Sequence, residues 1–141
     1  MRLTRSLEIH TYQIDFSGHV GNAVYINWLE EARLWVCREA GYSIDRMINE
    51  GWLPVLVETQ IKYHRELRIS DRPTLTVWIS EMKGASAWME YEIRHENGDL
   101  AAKARQRGLW VDAASRKPVR FRPEVIESFS AYLELPAESP S

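Results

Sequence analysis

One helix-like segment followed by four strand-like segments constrains the fold of this chain more than any other feature. Between about residues 23 and 40 the apolar side chains recur at i, i+3 and i+4, as on the buried face of an amphipathic helix. Four segments with strand character follow, at residues 53–64, 74–82, 87–95 and 100–111. Short turns such as Asn97-Gly98 join most of them, and short turns join only antiparallel neighbours. We therefore predict an α+β domain, in which an antiparallel sheet of about five strands is wrapped around one long central helix.

The rest of the chain adds small elements to this core. They are a first strand at residues 6–14 and short helices at residues 43–50 and 123–135. The 141 residues are enough for one ordinary core, and no repeat or linker divides them. We predict a single domain over residues 1–135 and a disordered tail over residues 136–141.

The charge balance gives no reason to expect a nucleic acid or an anionic membrane as a partner, because the formal net charge is −2. The N-terminal residues lack the apolar stretch of a signal peptide, and no segment approaches the length of a membrane span. Cys37 is the single cysteine, which excludes an internal disulfide and a cysteine-based zinc cluster. These features predict a cytoplasmic protein.

The polar groups of greatest chemical interest lie in residues 15–22. Asp15 and His19 occupy a turn-rich stretch, and Asn22 is a suitable N-cap for the helix that follows. The first turn of a helix offers free N–H groups and a partial positive charge. A carboxylate, an imidazole and these donors therefore come together in a short stretch. Such an arrangement can stabilise the oxyanion of an acyl-transfer intermediate.

This stretch and the helix after it form a longer pattern, Asp15-Phe-Ser-Gly-His-Val-Gly-Asn-Ala-Val-Tyr25 followed by Glu30-Glu-Ala-Arg33. Together with Ile61-Lys-Tyr-His-Arg-Glu-Leu-Arg-Ile-Ser-Asp71, the pattern resembles the hotdog-fold acyl-CoA thioesterases. The most similar group is the 4-hydroxybenzoyl-CoA thioesterase type. The chain departs from that family at Glu66 and Ser70, where its members usually have Pro and Gly.

The resemblance implies a hydrolase that converts acyl-CoA to a free carboxylate and CoA at sites between subunits. Asp15 would be the catalytic carboxylate, either as the nucleophile or as the base that activates water. The backbone N–H groups of Gly21 and Asn22 would stabilise the oxyanion, and His19 would act directly or position the carboxylate. The further candidates for contacts with the substrate are Tyr25, Glu30, Lys83 and Ser86.

The resemblance also implies a homodimer whose two sheets join edge to edge, or a homotetramer built from two such dimers. It implies no metal and no redox cofactor, since coenzyme A is part of the substrate. Less specific interpretations stay open for the same residues: Asp15 can be a turn residue, Asn22 a helix cap and Tyr25 a core residue. If Asp15 is not the catalytic carboxylate, Glu30 or Glu31 is the reserve candidate.

Three other functions compete with hydrolysis of acyl-CoA. An acyl-carrier-protein thioesterase would use the same site, whereas an acyl-thioester hydratase would carry a His-Phe-Pro-type loop, which this sequence lacks. A non-catalytic module that binds acyl-CoA would keep the pocket and lose the carboxylate that Asp15 supplies. The sequence leaves open the acyl group, the thiol half of the substrate and the role of Asp15 as nucleophile or base.

Overall fold

An antiparallel sheet of five strands lies at the centre of the computed structural model, which describes residues 1–136. The strands are β1 (Leu3–Ser6), β2 (Trp52–Tyr63), β3 (Thr74–Lys83), β4 (Ser86–Arg94) and β5 (Leu100–Asp112). Their order across the sheet is β1-β3-β4-β5-β2, and every neighbouring pair is antiparallel. The helices are α1 (Asn22–Glu39), α2 (Ile44–Glu50) and α3 (Pro123–Phe129). The predicted α+β class and the antiparallel sheet of about five strands are confirmed.

The apolar stripe of α1 is buried in the core, as its periodicity predicts. Leu29, Ala32 and Val36 are fully buried, and they share one hydrophobic cluster with inward-facing residues of β3 and β4. The helix ends at Glu39, and Gly41 follows in the left-handed region at φ 91°, a conformation that glycine adopts without steric cost. This packing fixes the position of the N-terminal turn of α1, where the candidate site lies.

Substitution of Leu29 by Ala tests the contribution of the α1 stripe to the core. We expect Leu29→Ala to lower the free energy of unfolding by about 2–5 kcal/mol, because it removes buried methyl groups and leaves a cavity. Urea unfolding at one fixed protein concentration measures the change. Ile126→Ala on α3 is the matched control, since Ile126 is 40% exposed and its truncation leaves no cavity. Equal losses in the two variants would contradict the assignment of Leu29 to the core.

The predicted first strand at residues 6–14 is wrong. β1 covers Leu3–Ser6 and pairs with β3, and a single 3₁₀ turn occupies Thr11–Gln13. Leu7 and Ile9 are buried, so their alternation reflects packing against the core and not pairing in the sheet. Alternating burial needs only an extended backbone over an apolar surface, and it does not distinguish a strand from such a segment.

Two further boundaries differ from the prediction. The last helix ends at Phe129, and a 3₁₀ turn over Ser130–Tyr132 replaces its second half. The predicted tail falls largely on residues 137–141, which lie outside the described residues. Asn22 is the first helical residue of α1, and Gly21 occupies the N-cap position instead.

β2 is an edge strand with an exposed apolar segment. Val55, Leu56 and Val57 are 38%, 40% and 42% exposed, and a bulge between Leu56 and Glu58 shifts the register against β5. A strand of 12 residues at a sheet edge presents a row of backbone groups able to pair with another chain. This edge therefore presents apolar side chains together with its outer row of backbone groups.

The described residues contain neither a helix suited to crossing a membrane nor a candidate metal site. Across residues 1–136, none of the helices combines the length and the apolar character that crossing a membrane requires. In the same part of the chain, no group of three or more His, Cys, Asp or Glu side chains is placed to hold a metal ion.

Candidate active site

A tight turn places Asp15 next to the start of α1. The Asp15 N–H donates to the carbonyl of His19 at 2.8 Å, and the Gly18 N–H donates to the carbonyl of Asp15 at 3.0 Å. Gly18 has a φ of 85°, a left-handed backbone conformation that would be strained in a residue with a side chain. Residues 14 and 20 close the turn as a two-residue antiparallel bridge. The glycine-rich sequence thus folds locally into a rigid support for one carboxylate.

The Asp15 carboxylate is solvent-exposed and kept ionised. Its Oδ1 accepts a hydrogen bond from the Ser17 N–H at 2.9 Å and a second one from the Ser17 hydroxyl. The Ser17 hydroxyl is the main cause that lowers the pKa of Asp15 below its usual value, and the backbone N–H groups and the His19 ring act in the same direction. The turn therefore presents a negatively charged group at neutral pH.

Only some of the backbone N–H groups predicted as donors at the start of α1 are available beside this carboxylate. The Gly21 N–H donates to the carbonyl of Gln13 at 3.0 Å, so this structure withdraws it from the oxyanion site. The N–H groups of Asn22 and Ala23 lie in the first turn and have no acceptor within the helix. Gly21 lies close to the carboxylate, since a Cβ added there would be 3.8 Å from the Asp15 Cβ. Asn22 is thus better placed than Gly21 to polarise a carbonyl.

An open cleft of about 330 Å³ lies beside these groups. Its lining consists of Asp15, Ser17, His19, Val20, Asn22, Tyr25, Tyr63, His64, Arg65 and Glu66. The Tyr25 and Tyr63 rings meet edge to face with centroids 5.0 Å apart, and Tyr25 is only 3% exposed. Burial raises the pKa of Tyr25 to about 12, so its phenol is neutral at physiological pH. Tyr25 forms a wall of the cleft and is at the same time a core residue.

An ion-pair chain crosses the mouth of the cleft. The Nε2 atom of His19 lies 2.6 Å from Oε2 of Glu66, and the Arg68 guanidinium donates to the other oxygen of Glu66, also at 2.6 Å. Arg68 is the main cause that lowers the pKa of Glu66, and the charge of His19 adds to the effect. Glu66 is therefore an anion that contacts the candidate site through His19.

The cleft brings together four of the predicted site residues and places Gly21 at its edge. Glu30 lies outside this lining, with a side chain that is 60% exposed and an oxygen 4.0 Å from the Arg33 guanidinium. Lys83 and Ser86 pair with each other at the β3–β4 turn. Through β5, Ser86 is in register with Val55, whereas the cleft lies at Tyr63, eight residues further along β2. Eight strand residues span about 26 Å, so Lys83 and Ser86 lie at the opposite end of the sheet.

Sequence reasoning missed Ser17 and the side chains that residues 63–66 contribute. The Asp15-x-Ser17 spacing is the signal for the first of these, because it is typical of the hydroxyl-to-carboxylate contact that the structure contains. Residues 63–66 lie in the second stretch that resembles the family, so that resemblance is the signal that could have indicated them. Its place beside residues 15–22 is fixed by the Val20 N–H, which donates to the carbonyl of Leu67 at 2.8 Å.

A second cavity, of about 70 Å³ and almost wholly apolar, opens between α1 and the far end of the sheet. Its lining includes Cys37, Pro54, Leu56, Ala87, Met89 and Phe129. Arg33 also borders this cavity and donates to Oε1 of the buried Gln106 at 3.0 Å, which keeps the guanidinium hydrogen-bonded. The cavity offers an apolar group a place to bind, at the end of the sheet away from Asp15.

Comparisons with known proteins identify related chains. A family model described as the thioesterase-like superfamily matches residues 9–129. The long-chain acyl-CoA thioesterase FadM of Escherichia coli is 30% identical over 122 residues, which cover 86% of this chain and 92% of the relative. The acyl-CoA thioesterase YbgC of Haemophilus influenzae is 27% identical over 124 residues, which cover 87% of this chain and 90% of the relative.

Solved structures share the fold at lower identity. The protein SAV2348 of Staphylococcus aureus, determined in complex with CoA, superposes with a TM-score of 0.87 at 18% identity over 100% of this chain and 90% of that one. A DHNA-CoA thioesterase from the same organism has a TM-score of 0.83 at 21% identity, covering 92% of this chain and 89% of that one. At these identities the likeness establishes the fold.

Proposed function

The chain belongs to the thioesterase-like superfamily, and on that premise we propose that it is a hotdog-fold enzyme that hydrolyses acyl-CoA to a carboxylate and CoA. The observation that most supports this activity is the exposed, ionised Asp15 carboxylate beside the free N–H groups of the first turn of α1. The names of FadM and YbgC support acyl-CoA as the substrate. The proposal includes a cytoplasmic location and no metal or redox cofactor.

In the proposed reaction Asp15 supplies the charge that drives attack on the thioester carbonyl. The carboxylate either attacks that carbon itself or takes a proton from the water that attacks it. The carbonyl oxygen becomes an oxyanion next to the N–H groups of Asn22 and Ala23, where the positive end of the α1 dipole lies. The C–S bond then breaks and CoA leaves as the thiolate, which takes up a proton. Where Asp15 itself has attacked, water then hydrolyses the mixed anhydride and releases the carboxylate. A thiolate is a good leaving group, so this limited set of groups is sufficient.

We propose a homodimer formed by pairing of two β2 edges. The length of β2 and its exposed segment Val55–Val57 support this interface, because an unpaired edge of this kind favours association. A two-fold axis across antiparallel strands passes near the middle of β2. It would set the Tyr63 end of β2 in one chain beside the Trp52 end of β2 in its partner, and two such dimers could form the tetramer.

With this two-fold axis, residues of both chains would form each active site. The cleft lies at the Tyr63 end of β2, and the apolar cavity lies at the Pro54 end. Antiparallel pairing brings these ends together, so the cleft of one chain would face the apolar cavity of its partner. We propose that this cavity takes the acyl group. Lys83 and Ser86, 26 Å or so from the cleft of their own chain, would approach it only from the partner.

Release of free thiol from a panel of acyl thioesters tests the proposal. The panel contains benzoyl-type, short-chain and long-chain acyl-CoA, and the same acyl groups on acyl-carrier protein. We expect turnover with CoA esters, and the ranking of acyl groups reports the shape of the cavity. Preference for the carrier-protein esters would favour the acyl-carrier-protein thioesterase. Tight binding of acyl-CoA without thiol release would replace the proposal by a binding module.

Removal of the Ser17 hydroxyl is expected to shift the pH profile of hydrolysis. Ser17 is the main cause of the lowered Asp15 pKa, so Ser17→Ala raises that pKa toward its ordinary value. Asp15 is then protonated at a higher pH, so that acidification abolishes activity at a higher pH than in the wild type. The acid limb of kcat/KM against pH measures the shift. An acid limb that stays in place in Ser17→Ala would show that Asp15 does not govern it.

A further inference from the structure

We infer that Glu66 is a positioning residue for the Asp15 site, which it serves by holding the His19 ring against Ser17. This inference rests on the proposed function, because the group that it positions is the proposed catalytic carboxylate. Nothing in the resemblance assigns a role to Glu66, since relatives usually have Pro at this position.

The donors and acceptors form a continuous chain from Glu66 to Asp15. A carboxylate only accepts, so His19 must donate its Nε2 proton to Glu66 across the 2.6 Å contact. The other ring nitrogen, Nδ1, lies 3.4 Å from the Ser17 hydroxyl oxygen. Ser17 donates its own hydroxyl proton to Asp15 Oδ1, so the ring donates to Ser17 only as an imidazolium, in which Nδ1 also carries a proton. All four groups are thus oriented by one another, from Glu66 through His19 and Ser17 to Asp15.

The position of Glu66 is held by Arg68 and by a backbone hydrogen bond next to it. Arg68 donates to Glu66 Oε1 and leaves Oε2 free for His19. The backbone next to Glu66 is tied to the catalytic turn by the Val20 N–H, which donates to the carbonyl of Leu67. His64 and Arg65 also line the cleft, and Arg65 is paired with Asp99 at 2.7 Å. Glu66 is therefore the carboxylate in contact with the His19 ring, and its position is held from two sides.

A double-mutant cycle tests whether Glu66 acts through His19. We expect Glu66→Gln to lower kcat about tenfold with KM unchanged, because the neutral amide holds the ring less firmly. Glu66→Asp keeps the charge and is expected to retain more activity than Glu66→Gln. In a His19→Asn background the further change Glu66→Gln is expected to have no effect. Glu50→Gln is the matched control, since Glu50 forms a similar pair with Arg46 at 3.0 Å on α2.

Two results of this cycle would overturn the inference. One is an unchanged kcat in Glu66→Gln, and the other is an equal loss from Glu66→Gln with and without the His19 ring. A general effect on the fold would lower kcat in both backgrounds, so the cycle separates positioning from structural support. The circular-dichroism spectrum and the melting temperature of each variant confirm that the chains compared are folded.

A measurement without substrate keeps this inference separate from the proposed function. Nitrogen-15 NMR of the His19 ring, assigned with His19→Asn, is expected to show a protonated Nε2 whose proton resonance moves upfield in Glu66→Gln. An unprotonated Nε2 in the wild type would overturn the inference even in an active enzyme. A protonated Nε2 in a protein that releases no thiol would support the contact and count against the proposed function alone.

Discussion

Asp15→Asn is expected to lower kcat for hydrolysis of acyl-CoA by about 10³-fold while the affinity for the substrate changes little. The amide has nearly the same shape as the carboxylate but neither attacks a thioester nor accepts a proton from water. The amide oxygen can still accept both hydrogen bonds from Ser17, so the turn should be preserved. Thiol release at saturating substrate measures kcat, and calorimetric titration with a non-hydrolysable thioether analogue measures binding.

The control for this substitution is Asp45→Asn, which removes a carboxylate from an exposed position in the first turn of α2. We expect full activity in that variant. If Asp15→Asn also stays active, the carboxylate that acts on the thioester lies elsewhere, and Glu30 or Glu31 becomes the next residue to test. Loss of binding together with kcat would instead assign Asp15 to recognition of the substrate.

The parts of the fold that depend on local periodicity could be predicted from the sequence. The stripe on α1 and the strand character of residues 53–64, 74–82, 87–95 and 100–111 follow from neighbours along the chain, and both are present as predicted. The boundaries of β1 could not be obtained in this way. Leu7 and Ile9 alternate as in a strand, but pairing ends at Ser6 because the β3 partner of that residue, Thr74, is the first residue of its strand. Strand boundaries therefore depend on the partner as well as on the segment itself.

The candidate site shows the same division between local and distant interactions. Asp15 and the start of α1 are close in sequence, so their proximity could be predicted from turn and helix signals. The hydrogen bond from the Gly21 N–H to the carbonyl of Gln13 could not be predicted in this way, because it depends on how the chain before the turn folds back. Glu66 reaches His19 because β2 ends next to the turn, 47 residues further along the chain from that histidine. No local pattern encodes a contact of that separation.

Mixing two inactive variants is expected to restore about a quarter of the wild-type activity if the site is shared between subunits. One variant is Asp15→Asn, with its apolar cavity intact. The other is Ala87→Phe, in which the new ring fills the cavity beside Met89 while Asp15 is unchanged. A mixed dimer contains one site with Asp15 from the second variant and the open cavity from the first. Random re-association makes half of the dimers mixed, each with one working site of two.

The restored activity distinguishes a shared site from one built within a single chain. If the acyl group entered the cavity of its own chain, every site in the mixed dimer would lack either Asp15 or the open cavity, and mixing would restore nothing. Dissociation and re-association in mild urea produce the exchange, and differently tagged chains allow the mixed dimer to be purified. Leu109→Ala provides the control, since it enlarges the same cavity and should stay active alone. The cleft lies at the Tyr63 end of β2 and the cavity extends toward its Pro54 end, which makes the shared site the expected result.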